Sequence, residues 1–184
     1  MITVVDNVLE EKHLESFKDV INSEWFPWNI IGNSAYHDDE ELLKQSVLNY
    51  SFFHMCLNDS KPTSSYFNEP ALIELSNKIQ DSFRLNKDYY NLFRMRLGMT
   101  TSIGKPHQNT PHVDWDMPHK SILFYLNDSD GDTHFYDKEN NVIKTVAPKE
   151  NRAVLFDGLI SHASSKPVKF YRRIVLNINL LEKI

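Results

Sequence analysis

The chain of 184 residues holds a single cysteine, Cys56, so no disulfide can form within it. With Phe52, Phe53 and Met55 beside it, Cys56 reads as a small buried hydrophobe. No stretch approaches the roughly 18 consecutive apolar residues that a membrane span needs. The opening Met-Ile-Thr-Val-Val-Asp has no basic start leading into an apolar run, so a secretory signal peptide is not expected. Excess positive charge is missing too. Lys and Arg number 20 against 25 Asp and Glu, a formal net charge of −5, which argues against a general attraction to nucleic acid or anionic membrane. There is no internal repeat and no low-complexity tract. These absences point to a reducing, cytoplasmic setting, with neither membrane nor nucleic acid as partner.

What is present is an ordinary globular composition, 41% hydrophobic and 24% charged, enough to bury a core without staples. The length suits one domain, 1–184. Residues 2–5 read as a short strand. Leu14, Phe17 and Ile21 fall at helical spacing within a helix over about 9–22. The aromatic stretch 25–31 contains Pro27 and reads as extended, and 38–48 as a loop or short helix. A second helix spans about 69–84, with Asn68 as N-cap, Pro70 in the first turn and an apolar stripe of Leu72, Leu75, Ile79 and Phe83. From residue 89 the pattern turns to strands. Phe93, Met95, Leu97 and Met99 alternate with Arg94, Arg96 and Gly98, and further strands fit 121–126, 133–136, 142–146, 153–156 and 170–180. The spacing predicts a helical support region over 1–88 and a β core over 89–184, a sandwich or jelly roll, mainly β with flanking helices.

The densest chemistry lies in Pro111-His112-Val113-Asp114-Trp115-Asp116. On an extended segment residues i and i+2 point the same way, so His112 and Asp114 can offer an imidazole and a carboxylate to one ion. His162, beyond the strand over 153–156, is the candidate third ligand. Two histidines and a carboxylate on one face of an octahedral ion leave sites open, the arrangement of non-haem iron(II) oxygenases. The absence of a cysteine nearby argues against structural zinc.

The order of the surrounding motifs resembles the 2-oxoglutarate/iron(II) oxygenase superfamily, in particular its prolyl-hydroxylase-like branch. The resemblance covers roughly residues 90–181. It begins with His112-Val113-Asp114 and the strand Ile122-Leu123-Phe124-Tyr125-Leu126-Asn127. Asp130-Gly131-Asp132-Thr133-His134-Phe135 is similar to the family's Gly-Gly-Glu-Thr turn. Val146-Ala147-Pro148-Lys149-Glu150-Asn151-Arg152-Ala153-Val154-Leu155-Phe156 resembles its Pro-x-x-Gly-x-hydrophobic-Phe strand, and His162 and Tyr171 to Asn177 complete the set. Two departures stand out. One family glycine is Asp132 here, and another is Asn151, which also tolerates left-handed backbone.

The resemblance implies a double-stranded β-helix, a cupin-like jelly roll, with iron(II) at one mouth. It implies a hydroxylase that consumes dioxygen and 2-oxoglutarate and releases succinate and CO2. The co-substrate's far carboxylate needs a fixed cation, and a planar guanidinium suits it. Arg172 and Arg173 both qualify by position. Adjacent strand residues face opposite ways, and Arg173 is preferred because Val175 and Asn177 share its face. Tyr125 matches a position where a phenol contacts the co-substrate, with Asn177 a weaker candidate. A peptidyl proline is the first substrate suggested; a small molecule is the alternative.

Other residues near the motifs carry two readings each. Arg94 and Arg96 form either a pocket mouth or a solvated face, the latter favoured. Trp115 and Asp116 either shape an entrance or pack. His107, His119 and His134 are non-ligands on balance, with His119 the substitute should His112 fail. Trp25 and Trp28 form a lid or, preferably, a packed layer. Two rival functions remain. One is a cupin-like metalloenzyme that does without 2-oxoglutarate, and the other is a non-catalytic jelly-roll binding module.

Overall fold

A computed structural model describes residues 1–32 and 50–183. The stretch 38–48, read above as loop or short helix, lies outside the described residues. The architecture follows from the alternation in β12 (Arg172–Glu182), which lies at the centre of the main sheet. Ile174, Leu176, Ile178 and Leu180 are buried on one face; Arg173, Val175, Asn177 and Asn179 occupy the other. A strand with two such faces needs a cover on each side.

The main sheet runs β1 (Ile2–Asp6), β10 (Arg152–Asp157), β7 (Lys120–Tyr125), β12, β5 (Tyr90–Thr101), β3 (Ser51–Asn58) and β2 (Asn29–Ile31), with β4 (Lys61–Pro62) paired to β3. A smaller sheet runs β6 (His107–Gln108), β11 (His162–Lys166), β8 (Thr133–Tyr136) and β9 (Val142–Val146). The strand pairs are antiparallel. Leu123, Tyr125, Val154, Phe156 and Val175 of the main sheet pack with Phe135 and Val146 of the smaller one, which joins the two layers of the jelly roll.

The other face of the main sheet is covered by α1 (Glu11–Ile21) and α2 (Glu69–Ser82). Leu14, Phe17 and Ile21 of α1 are buried there, each contributing about 1.5–3 kcal/mol by the usual apolar transfer scale. Asn68 caps α2, its side-chain oxygen accepting from the Ala71 N–H at 2.9 Å, with Pro70 in the first turn. Both helices stop short of the stretches expected from the pattern, since Asn22 and Phe83 serve as C-caps.

The region 1–88, expected as helical support, also supplies β1, β2, β3 and β4. The sheet is therefore continuous across residue 89, through the pairing of β3 with β5. Asn151 has φ +62°, the left-handed geometry its amide tolerates. Its side chain also bonds both the N–H and the carbonyl of Leu9 at 2.8 Å, tying the start of α1 to the core turn.

Candidate metal centre

β11 and the segment before β7 meet at one point. His112 and His162 form an isolated antiparallel bridge, exchanging backbone hydrogen bonds of 3.0 and 2.9 Å. That pairing sets their rings side by side, with centroids 4.9 Å apart. Asp114, two residues on from His112, projects to the same side. One ligand atom from each of His112, Asp114 and His162 lies within 4.8 Å of the others, close enough for one ion.

Local hydrogen bonds prepare both imidazoles. Nδ1 of His112 lies 3.1 Å from the Thr110 carbonyl, and Nδ1 of His162 lies 3.2 Å from the Ile160 carbonyl. A carbonyl only accepts, so Nδ1 carries a proton in both rings, which leaves Nε2 as the nitrogen available to a metal. Burial pushes the His162 imidazole down to about 4, against the opposing pull of Asp114, which keeps it neutral. For Asp114, burial raises the carboxyl. The nearby His162, amide donors from Asn177 and Asn179, and Arg94 outweigh it and hold the group at about 2.

The three side chains open on a cavity of about 110 Å³. Its walls include Leu123, Val175 and Phe52, with Arg173 also lining it. Arg173 is only 4% exposed. Its Nη2 donates to the Thr133 hydroxyl at 2.9 Å, and its guanidinium lies 5.4 Å over the Tyr125 ring. Nε has no hydrogen-bond partner, and burial lowers the affinity of the guanidinium for its proton. Among the described residues no carboxylate forms an ion pair with it. Asp132 acts on it electrostatically without a direct ion pair, and a buried cation compensated only in that way is costly, so this end of the cavity is suited to a carboxylate. Tyr125 is fully buried, and its hydroxyl shares a 2.7 Å hydrogen bond with Thr133.

Gly131 makes this corner possible. A Cβ there would lie 2.5 Å from the Ser165 carbonyl oxygen and 3.2 Å from Arg173 Cδ. The second glycine of the family turn is not needed, since Asp132 follows without disturbing the β8–β11 pairing.

Arg172, the lesser of the two arginine candidates, is not in the cavity. Its neighbour in sequence takes the inner face, so Arg172 points outward, bonds Asn22 Oδ1 at 3.0 Å and lies over Tyr171. Asn177 lines the cavity, but its Nδ2 donates to Asp114 at 3.0 Å. Arg94 is not a solvated surface group: Nη1 lies 3.9 Å from Asp114 Oδ1, and the guanidinium sits 4.9 Å over Trp115. Arg96 lines the cavity and stacks over Phe53. Trp115 packs against Phe93 and His119, while Asp116 is exposed. His119 is buried with Nδ1 on the Met117 carbonyl, and His134 is bound by Thr145 and Ser165; neither joins the ligand group, nor does His107. Trp28 packs on the core, but Trp25 is 81% exposed. Residues that sequence reasoning passed over are Asn179, Ser121 and Thr133. Asn179 had one available signal, since it continues the i+2 series from Arg173 through Asn177.

Residues 98–181 match the family model described as the 2OG-Fe(II) oxygenase superfamily. Among curated proteins, no relative matches in sequence at a significant level. Among solved structures, an oxidoreductase of the 2OG-Fe(II) oxygenase family from Burkholderia pseudomallei superposes with TM-score 0.70 at 10% identity, covering 97% of this chain and 84% of that one. A prolyl hydroxylase from Trichoplax adhaerens, in complex with a hypoxia inducible factor oxygen degradation domain peptide fragment, gives TM-score 0.66 at 16% identity, with 98% and 83% covered. The non-heme alpha ketoglutarate dependent epimerase SnoN from nogalamycin biosynthesis gives 0.61 at 12% identity, with 98% and 77% covered. At these identities the structures show a shared fold. No helix among the described residues is long and apolar enough to cross a membrane.

Proposed function

We propose that this chain is an iron(II)- and 2-oxoglutarate-dependent oxygenase, as the match of residues 98–181 to that superfamily's model supports, and that it hydroxylates its substrate with His112, Asp114 and His162 as the iron ligands. The observation that carries the proposal is a pair of features at two ends of one cavity: a cluster of two imidazoles and a carboxylate at one end and a buried guanidinium with no direct carboxylate partner among the described residues at the other. A dicarboxylate that chelates a metal with one end and needs a cation at the other matches that pairing.

Iron(II) held by His112, Asp114 and His162, with 2-oxoglutarate at Arg173, would supply the oxidising chemistry that splits O2 between the co-substrate, released as succinate and CO2, and the hydroxylated product. The protein's part is positional. Arg173 would pair with the far carboxylate of 2-oxoglutarate, held in place by Thr133, with the Tyr125 ring beneath it. Leu123, Val175 and Phe52 line the cavity with apolar surface and limit water there. The Nδ1 bonds of both histidines keep Nε2 aimed at the metal. The chain acts as a single unit, since one sheet runs through both halves.

A peptidyl proline is the first substrate to test, given that similarly folded enzymes include a prolyl hydroxylase with a peptide bound. The test of the site is anaerobic titration with iron(II) and 2-oxoglutarate. A charge-transfer absorption band should appear in the wild-type protein and be lost in His162→Ala. A band of unchanged intensity in the variant would remove His162 from the ligand set. Succinate release on adding proline-containing peptides then reports the substrate.

A further inference from the structure

One oxygen of Asp114 is already taken by the protein. Asn179 Nδ2 donates to Asp114 Oδ2 at 2.8 Å, and Asn177 Nδ2 donates to the same atom at 3.0 Å. Asn179 is fully buried, and its Nδ2 also donates to Ser121 Oγ at 3.0 Å, which fixes the amide plane. The other oxygen, Oδ1, lies 3.9 Å from the Arg94 guanidinium, beyond hydrogen-bond distance.

The backbone explains how both amides arrive at one atom. Asn177 and Asn179 are two apart on β12 and face inward together, with Asn179 directly opposite Ser121 in β7. The pairing of β12 with β5 shifts register between Asn179 and Leu180, a bulge beside the site in which Phe93 is the extra residue of β5. A buried amide or hydroxyl in an otherwise apolar strand pair lowers stability unless it is hydrogen-bonded, and the Asn179 amide meets that condition through Asp114 and Ser121. Among the described residues neither Asn177 Oδ1 nor Asn179 Oδ1 finds a partner, so the amides are oriented for their N–H groups.

We propose that Asn179, with Asn177, is a positioning residue that occupies Asp114 Oδ2 with two N–H donors and so restricts Asp114 to binding the metal through one oxygen. This rests on Asp114 being an iron ligand, as proposed above. An oxygen accepting two hydrogen bonds has both in-plane lone pairs engaged. With one carboxylate oxygen withheld, Asp114 fills one coordination position and the remaining sites stay open for a chelating co-substrate and dioxygen. Freed of its amide donors, the carboxylate can swing or chelate, at the expense of an open position.

The test uses cobalt(II) as a spectroscopic stand-in for iron, added anaerobically to the full-length protein. Wild type should bind one equivalent with a visible d–d spectrum, and His162→Ala should not; if wild type fails to bind, the metal-site reading falls and not this inference alone. Asn179→Ala should weaken cobalt affinity about 10- to 100-fold, the usual effect of removing a group that orients a ligand, and should change the d–d band shape. Asn177→Ala, at a less buried position, should shift both readouts in the same direction and decides the matter if Asn179→Ala does not fold. A folded variant with affinity within twofold of wild type and an unchanged spectrum overturns the proposal.

Discussion

Replacing Arg173 with methionine should make the ligand-free protein more stable and the co-substrate complex much weaker. The opposite signs follow from the environment of the side chain. The guanidinium is buried, with one donor on Thr133, Tyr125 beside it and Asp132 acting electrostatically; among the described residues Nε has no partner and no carboxylate forms an ion pair with it. Exchanging poorly compensated buried charge for apolar volume commonly stabilises by on the order of 1–3 kcal/mol. Thr133 and Tyr125 would not be orphaned, because their hydroxyls already bond each other at 2.7 Å. For a chain of this length each kcal/mol moves Tm by roughly 2–4 °C, so Tm of the ligand-free variant should rise by several degrees. Losing a buried charge-assisted pair to the far carboxylate of 2-oxoglutarate should cost about 3 kcal/mol of affinity, more than a hundredfold in Kd. Thermal melts of the ligand-free protein and calorimetric titration of 2-oxoglutarate into the manganese-loaded protein measure both quantities. A lower Tm together with a Kd within threefold of wild type would refute the reasoning, since Arg173 would then be a structural cation and not an unfilled anion site.

Two further perturbations probe the scaffold. Gly131→Ala places a Cβ against the Ser165 carbonyl and Arg173 Cδ; overpacking should cost about 1–3 kcal/mol in urea unfolding and raise the Kd for 2-oxoglutarate while cobalt affinity is kept. Asp6 accepts from Arg152 at 2.7 and 3.1 Å and from Lys149 at 3.1 Å, tying β1 to β10 and the turn before it; the Arg152 hydrogen bonds, only partly opposed by desolvation, hold its carboxyl at about 2. Because the folded value is depressed, this contribution is complete above the unfolded value near 3.9 and is lost as pH falls toward about 2. Asp6→Asn should therefore lose about 1 kcal/mol at neutral pH, a partly exposed pair being weakened by solvent, and the difference from wild type should shrink below pH 4; an equal gap at pH 3 and pH 7 would contradict the assignment.

The elements that could be read from the sequence are those whose side chains obey one period. β12 keeps Ile174, Leu176, Ile178 and Leu180 at a two-residue period with Asn177 and Asn179 between them, and α2 carries both a cap and a stripe. β11 was not legible as a strand, because His-Ala-Ser-Ser-Lys has no apolar alternation; it is extended because β6 and β8 pair with it on either side. β3 was equally hidden, since its Phe-Phe-His-Met-Cys-Leu run lacks a period, and it is held by pairing with β5. At the site, Asn179 and Ser121 are neutral polar residues in apolar strands. Nothing in their own neighbourhoods announces that one lies opposite the other and beneath a carboxylate.

By itself the sequence determined which groups share a face. His112 with Asp114, and Arg173 with Val175, Asn177 and Asn179, are related by the two-residue repeat of an extended chain, which holds wherever the strand is placed. Only the tertiary structure decided which faces meet. The bridge between His112 and His162, the cavity separating them from Arg173, and the two amides on one oxygen of Asp114 depend on pairings between strands distant in the chain. Register between such strands is set by the summed packing of both sheets and the helices, a property of no single segment.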